Sequence, residues 1–484
     1  MPSFNQYIRK ALPSQAPRPW LLAGMAALIL LSALVSIKFS QPLIWVLPLG
    51  AIGLMAAVWD YRPLWFMMIA AIPASLHLEF GPLALDIPSE PLMVFFLGVL
   101  VINLVSGRQF GKKDSLFPFH ILVIALLFWT CFTALLSDYP MRSIKYVLSR
   151  LWYMAAFVFV AEKILQNPKI LLRMGWCFVI SLAIFSFITT LRHIPSGFSF
   201  EGSHFAPGLF FTNHVIYGAA VVLGMPWAWL LWKESAPNSM ARKVAFGAMG
   251  IIMLGVILCY ARGAWVSFIA LPVLVVIISR KALVPALTIG IILLAFGLGW
   301  LAQGNNYYRF APDYKETIFH EGDLGGHLNA TFQGKELSGM ERFYRWVAAF
   351  RMIEARPVAG FGPSTFNQNY RKYANDAFRT YVSDNPEQST THNYYLMTFA
   401  EQGFVGGLLF IGMCLYMFTK GGRLALEARV RLHRRLALVA TLSLSVIMLH
   451  SLLNELIEVD KVGAMFWINL LTIHLVDKWE RKVS

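Results

Sequence analysis

Ser389-Thr390-Thr391-His392-Asn393, the apolar run Tyr394 to Ala400, then Glu401-Gln402-Gly403 and, three residues on, Gly406, form the stretch around which the chain is organised. It closes a polar interval running from 303 to 391, about 90 residues, the only long one in a chain otherwise made of apolar runs. Ser389, Thr390 and Thr391 are favourable helix N-caps, so the sequence places His392 in the first turn of an apolar helix. An imidazole there meets water on one side and the bilayer interface on the other. The positive end of the helix dipole disfavours its protonated form and leaves a neutral ring able to accept a proton. A histidine that only caps the helix, or sits at the interface, would produce the same stretch.

The composition sets the class. Of 484 residues 57% are hydrophobic and 14% charged, and the mean hydropathy is +0.58. Such values belong to a membrane protein rather than a soluble globular one. The net charge of +15 resembles a nucleic-acid signature. Its basic residues, however, lie in short loops between apolar runs, where they set topology and meet anionic headgroups of a phospholipid membrane; no nucleic-acid partner is expected. Cys131, Cys177, Cys259 and Cys414 all fall inside apolar runs and read as small core hydrophobes without a disulfide framework. Arg9, Lys10 and Arg18 precede the run from Trp20 to Ile37, which is too long for a signal-peptide core and reads as an uncleaved first span.

Candidate spans fall at 20–37, 43–58, 63–77, 91–105, 117–136, 146–164, 170–190, 214–233, 244–260, 264–279, 283–302, 404–419, 436–452 and 463–477. The expectation is an all-α polytopic membrane protein of about 12–14 transmembrane helices. It divides into an N-terminal bundle (1–302), a large, partly helical outer loop (303–391) and C-terminal spans (392–484). With the N-terminus inside, the clusters Arg108-Lys112-Lys113, Lys163-Lys169, Lys233-Arg242-Lys243, Arg280-Lys281, Arg423 to Arg435 and Lys478 to Lys482 all face the cytoplasm, as does the C-terminus. The segment 303–391 then faces outward, into the periplasm of a double-membraned bacterium.

That orientation makes the exceptions informative. Arg142, Lys145 and Arg150 lie between two spans on the outer side, where topology does not ask for them. Arg262 sits in the tiny outer turn Tyr260-Ala261-Arg262-Gly263. A cation at that depth is costly unless it snorkels to headgroups or meets an anion. The outer loop 191–213 and the residue after it bring Arg192, His193, His204, Asn213 and His214 close in sequence. Irregular spacing and the lack of a cysteine or carboxylate pair argue against a metal there, and no cofactor is expected. In the long loop, Phe343, Trp346, Val347, Phe350 and Ile353 follow a helical period from Glu341 to Ala355, with Arg342 and Arg345 one turn apart on another face. Pro357 and Gly360-Phe361-Gly362-Pro363 stop this helix. A helix lying on the membrane plane would carry the same pattern.

The outer face thus offers one histidine and several arginines. Guanidinium forks suit a diphosphate, and gathering them at a membrane surface suits a diphosphate attached to a lipid. A neutral histidine beside it could take the proton of an attacking hydroxyl. No Walker-type phosphate loop, dinucleotide fingerprint or Asp-x-Asp occurs, which argues against nucleotide-driven and metal-dependent transfer. Charged residues are nearly missing from the middles of the spans, against ion-coupled transport.

His392-Asn393, nine residues, Gly403, two residues, Gly406 resembles the H-[NSQ]-x9-G-x-x-G pattern of the bacterial O-antigen ligase family, whose superfamily includes O-antigen polymerases and O-oligosaccharyltransferases. Ala261-Arg262-Gly263-Ala264-Trp265 is similar to the family's arginine-glycine turn, with alanine where Ser or Thr is common. Glu341 to Trp346 with Pro357 to Gly362 resembles its loop helix and following turn, and Phe211-Thr212-Asn213-His214 the opening of a family span. The resemblance implies metal-independent, inverting transfer at the periplasmic face of the inner membrane, from an undecaprenyl-diphosphate-linked glycan donor to a sugar hydroxyl of a lipid A-core acceptor. By that analogy His392 is the base or acceptor-positioning group and Arg262 and Arg342 hold the diphosphate, with Arg345, Arg150, Lys145 and Arg142 as further candidates. Asn393, Gly403, Gly406 and Asn213 support the motifs.

Three rivals remain open on the sequence: a polymerase joining lipid-linked repeat units, a transferase to Ser or Thr of exported proteins, and a lipid-linked glycan transporter.

Overall fold

The computed structural model describes residues 60–80, 83–105, 117–310, 337–379, 383 and 390–483. The chain divides into two compact units, Met1–Ile69 and Ala70–Ser484. Described residues of the first are the opening turns of a short apolar helix, α1 (Arg62–Ala71). The spans expected at 20–37 and 43–58 and the basic cluster at 108–113 lie outside the described residues.

The expected span 63–77 is corrected. Its helix ends at Ala71, and after a single turn containing Pro73 the chain enters a hairpin, β1 (Leu76–Phe80) antiparallel to β2 (Leu83–Ile87), with His77 opposite Asp86. Period-two alternation in Leu76-His77-Leu78-Glu79 favours a strand once proline has withdrawn the helical amide.

The helices that follow are α2 (Ser89–Val105), α3 (Pro118–Leu135), α4 (Pro140–Ile164), α5 (Pro168–His193), α6 (His214–Glu234), α7 (Met240–Leu258), α8 (Arg262–Ser279) and α9 (Leu283–Ala302). After the long loop's α10 (Leu337–Ala355) come α11 (Tyr394–Glu427), α12 (Arg431–His450) and α13 (Asp460–Val483). Asn167, Asn213, Ser239 and Asn393 cap α5, α6, α7 and α11 through side-chain oxygens that accept first-turn amides. Among the described residues nine helices are long and apolar enough to cross a membrane: α3 to α9, α11 and α12, which makes the chain an all-α polytopic membrane protein. Burial separates their roles. The most apolar window of α6 is 83% buried, while that of the α9 segment is 6% buried and exposes Ile291 to Leu294 and Phe296, a face suited to lipid.

α13, expected as a span at 463–477, is a helix but is not among those nine. It packs against α4, α6, α11 and α12 and buries Asp460, Lys461, Asn469 and His474 along with its apolar residues. A helix wrapped by protein needs no uniformly apolar surface, which explains its lower hydropathy. The loop helix α10 folds back on the start of α11: Tyr344, Ala348, Ala349, Met352 and Ile353 share one core with Phe361, Phe366, Leu396 and Ala400.

Candidate active site

α11 is two helices merged across a break at Gly403, whose φ of 68° and ψ of −172° only glycine adopts without strain. A Cβ there would stand 2.1 Å from the Val358 carbonyl oxygen. The break lets the turn after α10 fasten onto the span. Phe404 N–H donates to Pro357 O at 2.7 Å, Phe361 N–H to Ala400 O at 3.2 Å and Gly362 N–H to Glu401 O at 2.8 Å. The buried Glu401 carboxylate accepts the amides of Ser364, Thr365 and Phe366 at 2.8, 3.0 and 2.9 Å. From the other side Trp129 Nε1 donates to Gln402 O at 2.8 Å, an approach that Gly406 permits because a Cβ there would lie 3.0 Å from the indole. The spacing from His392 to Gly403 and Gly406 therefore encodes a buckle between loop and membrane helix.

His392 stands at the top of this buckle, and its expected place is corrected. It is not in the first helical turn: Asn393 is the N-cap, accepting from Leu396 N–H at 2.9 Å, and His392 precedes it with a left-handed φ of 51°. Thr391 does not cap the helix either. Its hydroxyl donates to Glu455 Oε1 at 3.1 Å, Asn393 N–H donates to the same oxygen at 3.1 Å, and Trp346 of α10 donates to Thr391 O at 2.8 Å. Tyr394 N–H donates to Ser451 O at 2.8 Å. The histidine is thus presented by a short turn tied at once to α10 and to the 451–459 segment.

Electrostatics keep the ring neutral. Burial and then the guanidiniums of Arg345 and Arg342 hold the His392 pKa down, to about 4. The sequence had assigned this neutrality to the helix dipole; desolvation and two cations are the operative causes. Glu455 Oε2 lies 3.8 Å from His392 Nδ1, beyond hydrogen-bonding distance but placed to orient the ring. Burial raises the Glu455 carboxyl, and bonds from Thr390, Thr391 and Asn393 oppose that rise.

The structure brings Arg342 and Arg345 beside His392. Arg345 is buried, lies 3.7 Å from Glu341, and leaves its Nε without a hydrogen-bond partner; burial lowers its pKa. Arg342 is half-buried one turn away. Arg262 opens α8, half-buried; the next residue, Gly263, packs on the His450 ring, and Ser451 is bonded to Tyr394, so the arginine turn belongs to the same end of the bundle. Asn213 caps α6 at that end too, since Gly218 of α6 abuts Ala261 and Ala264.

Other candidates are placed differently. Arg150 is buried, and its Nη2 donates to Glu458 Oε1 at 2.6 Å and to the hydroxyls of Tyr146 and Tyr394. Its charge is matched within the protein. Arg142 and Lys145 are exposed on α4; Arg142 Nη1 reaches the Gln368 carbonyl at 2.9 Å when that amide is turned to accept. His193 bonds to Ser199 O at 2.9 Å, while the His204 and His214 rings meet at 4.2 Å.

Glu455 and Glu458 escaped the sequence reading. They are the acids of the segment 451–459, and acids carry little topological weight, so the placement of charge along the chain does not single them out.

No curated protein sequence matches the chain. Residues 247–411 do match the family model described as O-antigen ligase, a segment that takes in Arg262, Arg342, Arg345, His392, Asn393, Gly403 and Gly406 but not Arg142, Arg150 or Glu455. Over that segment the chain is similar to the O-antigen ligase family.

Proposed function

We propose that the protein is an O-antigen ligase: a metal-independent, inverting glycosyltransferase of the bacterial inner membrane, with both termini cytoplasmic and its site facing the periplasm. The donor is a glycan on undecaprenyl diphosphate and the acceptor a sugar hydroxyl of lipid A-core. The observation that carries the reading is a neutral histidine with two guanidiniums close enough to depress its pKa, all within the family-matched segment.

In the proposed reaction the acceptor oxygen attacks the anomeric carbon of the donor's reducing-end sugar. His392 takes the hydroxyl proton on one ring nitrogen while its Nδ1 side is oriented by Glu455. The bond from the anomeric carbon to the diphosphate oxygen breaks, and the electron pair leaves with undecaprenyl diphosphate. Arg342, Arg345 and Arg262 hold that developing charge. Attack opposite the leaving group inverts the anomeric centre. Arg150, paired with Glu458, fixes Tyr394 and the start of α11, whereas the exposed Arg142 and Lys145 gather phosphate or headgroups at the rim.

The test is the purified protein with a lipid-diphosphate glycan and two acceptors offered separately. Product on lipid A-core supports the ligase; extension of a second lipid-linked glycan would instead make it a polymerase. Transport without transfer, unaffected by His392→Ala, would remove the enzyme reading.

A further inference from the structure

Far from His392, at the opposite ends of their helices, three side chains converge. His120 lies in the first turn of α3, Glu162 in the last turn of α4, and His474 near the C-terminal end of α13. His474 is 14 residues beyond Asp460, about 21 Å along the helix. His120 Nε2 stands 2.8 Å from Glu162 Oε2 and His474 Nε2 stands 3.5 Å from Glu162 Oε1; all three ligand atoms lie within 4.8 Å of one another. Ligands around a tetrahedral ion at about 2.0–2.2 Å are separated by roughly 3.4 Å, so small side-chain movements suffice to close the set.

A second observation points inward. His474 is 1% exposed, and its Nε2 is buried, aimed at the cluster, without a hydrogen-bond partner in normal geometry. A buried imidazole nitrogen left so is unusual unless something accepts its lone pair. The rings are walled by Phe119, stacked on His474 with centroids 5.1 Å apart, and by Phe117. Lys478 Nζ, 3.1 Å from Glu162 Oε1, is a competing cation on the carboxylate. It lies in the last turns of α13, 20% exposed, and can turn toward water when a doubly charged ion takes its place.

We propose that His120, Glu162 and His474 form a binding site for a divalent transition ion of the zinc class, tying α3, α4 and α13 together at the end of the bundle remote from the transfer site. Two imidazoles and a carboxylate make a borderline-soft donor set that suits zinc over magnesium or calcium. The ion is structural, so transfer at His392 does not require it.

Metal content of the full-length, tag-free protein in detergent, dialysed against metal-free buffer after one exposure to Zn²⁺, tests this. One retained equivalent is expected, with at least a tenfold weaker affinity in His120→Ala and His474→Ala by chelator competition. Lys478→Gln is expected to bind at least as tightly, because the rival cation is gone, and His392→Ala to bind unchanged. X-ray absorption of the zinc-loaded wild-type protein, showing two imidazoles in a nitrogen/oxygen shell, gives a reading even if a variant fails to fold. A wild-type Kd above ~10 µM, equal binding by the histidine variants, weakened binding in Lys478→Gln, or a shell without imidazole overturns the proposal.

Discussion

Glu455 serves His392 from two sides: Oε1 accepts the Thr391 hydroxyl and the Asn393 amide that flank the histidine, while Oε2 lies 3.8 Å from its Nδ1. One carboxylate therefore fixes the backbone that carries the ring and sets a negative charge facing the ring's Nδ1 side. Glu455→Gln retains an acceptor for the flanking donors and removes the negative charge. It is expected to lower kcat about 10- to 100-fold with KM little changed, as for a loss of support around a base. Unchanged kcat in a folded Gln variant would remove Glu455 from the mechanism.

His392→Ala is expected to lower transfer by about 10²- to 10⁴-fold while the protein still inserts and elutes as wild type. The wild-type acid limb should lie low. Because the folded pKa is held at about 4 against an ordinary 6.5, the ring stays neutral across neutral and mildly acidic pH, and kcat/KM should halve only near pH 4. The sign for stability is the same. Between the ordinary value and the folded one the unfolded chain binds the proton and the folded one does not, so stability falls as pH drops through that window. A pH–rate profile with its acid limb at or above 6.5 contradicts the assignment.

Arg342→Gln removes one of the two cations that hold the histidine down. The acid limb should move to higher pH, and KM for the lipid-diphosphate donor should rise, with little change in Tm. A KM unaffected by this change would detach Arg342 from the diphosphate.

Arg150→Met leaves the Glu458 carboxylate without its buried partner and should cost about 3 kcal/mol, near the low end for a broken buried pair because Glu458 keeps some contact with water. Arg150→Met with Glu458→Gln should recover much of that loss in Tm. If both versions unfold equally, the pair is not what holds α4 to the 451–459 segment.

Gly403→Ala forces a left-handed residue and a Cβ into the Val358 carbonyl; strain alone costs about 1–3 kcal/mol and the clash adds to it. Gly412→Ala, in the same helix but with nothing within 4 Å of its Cβ, should leave Tm unchanged. Limited proteolysis between α10 and α11 should separate the two variants.

Much of this was legible in the residues. Apolar run lengths located α3 to α9, and the 3.6-residue period located α10, because both signals are local. The helix start at His392 was misplaced by one cap: Thr391 is as good a capping residue as Asn393, and only the distant Glu455, 64 residues on, draws its hydroxyl away. The span at 63–77 failed for a related reason, since composition does not register that Pro73 hands the chain to a hairpin. The neutrality of His392 was legible, but not its cause, which needed Arg342 and Arg345 folded over it.

α13 carries a consequence for biogenesis. Asp460, Lys461, Asn469 and His474 are all buried against protein, and none could be left facing hydrocarbon without a large penalty. This helix is therefore poorly able to partition into lipid by itself. It must be received by the helices it packs against, α4, α6, α11 and α12, so insertion of this segment depends on a bundle that can shield it.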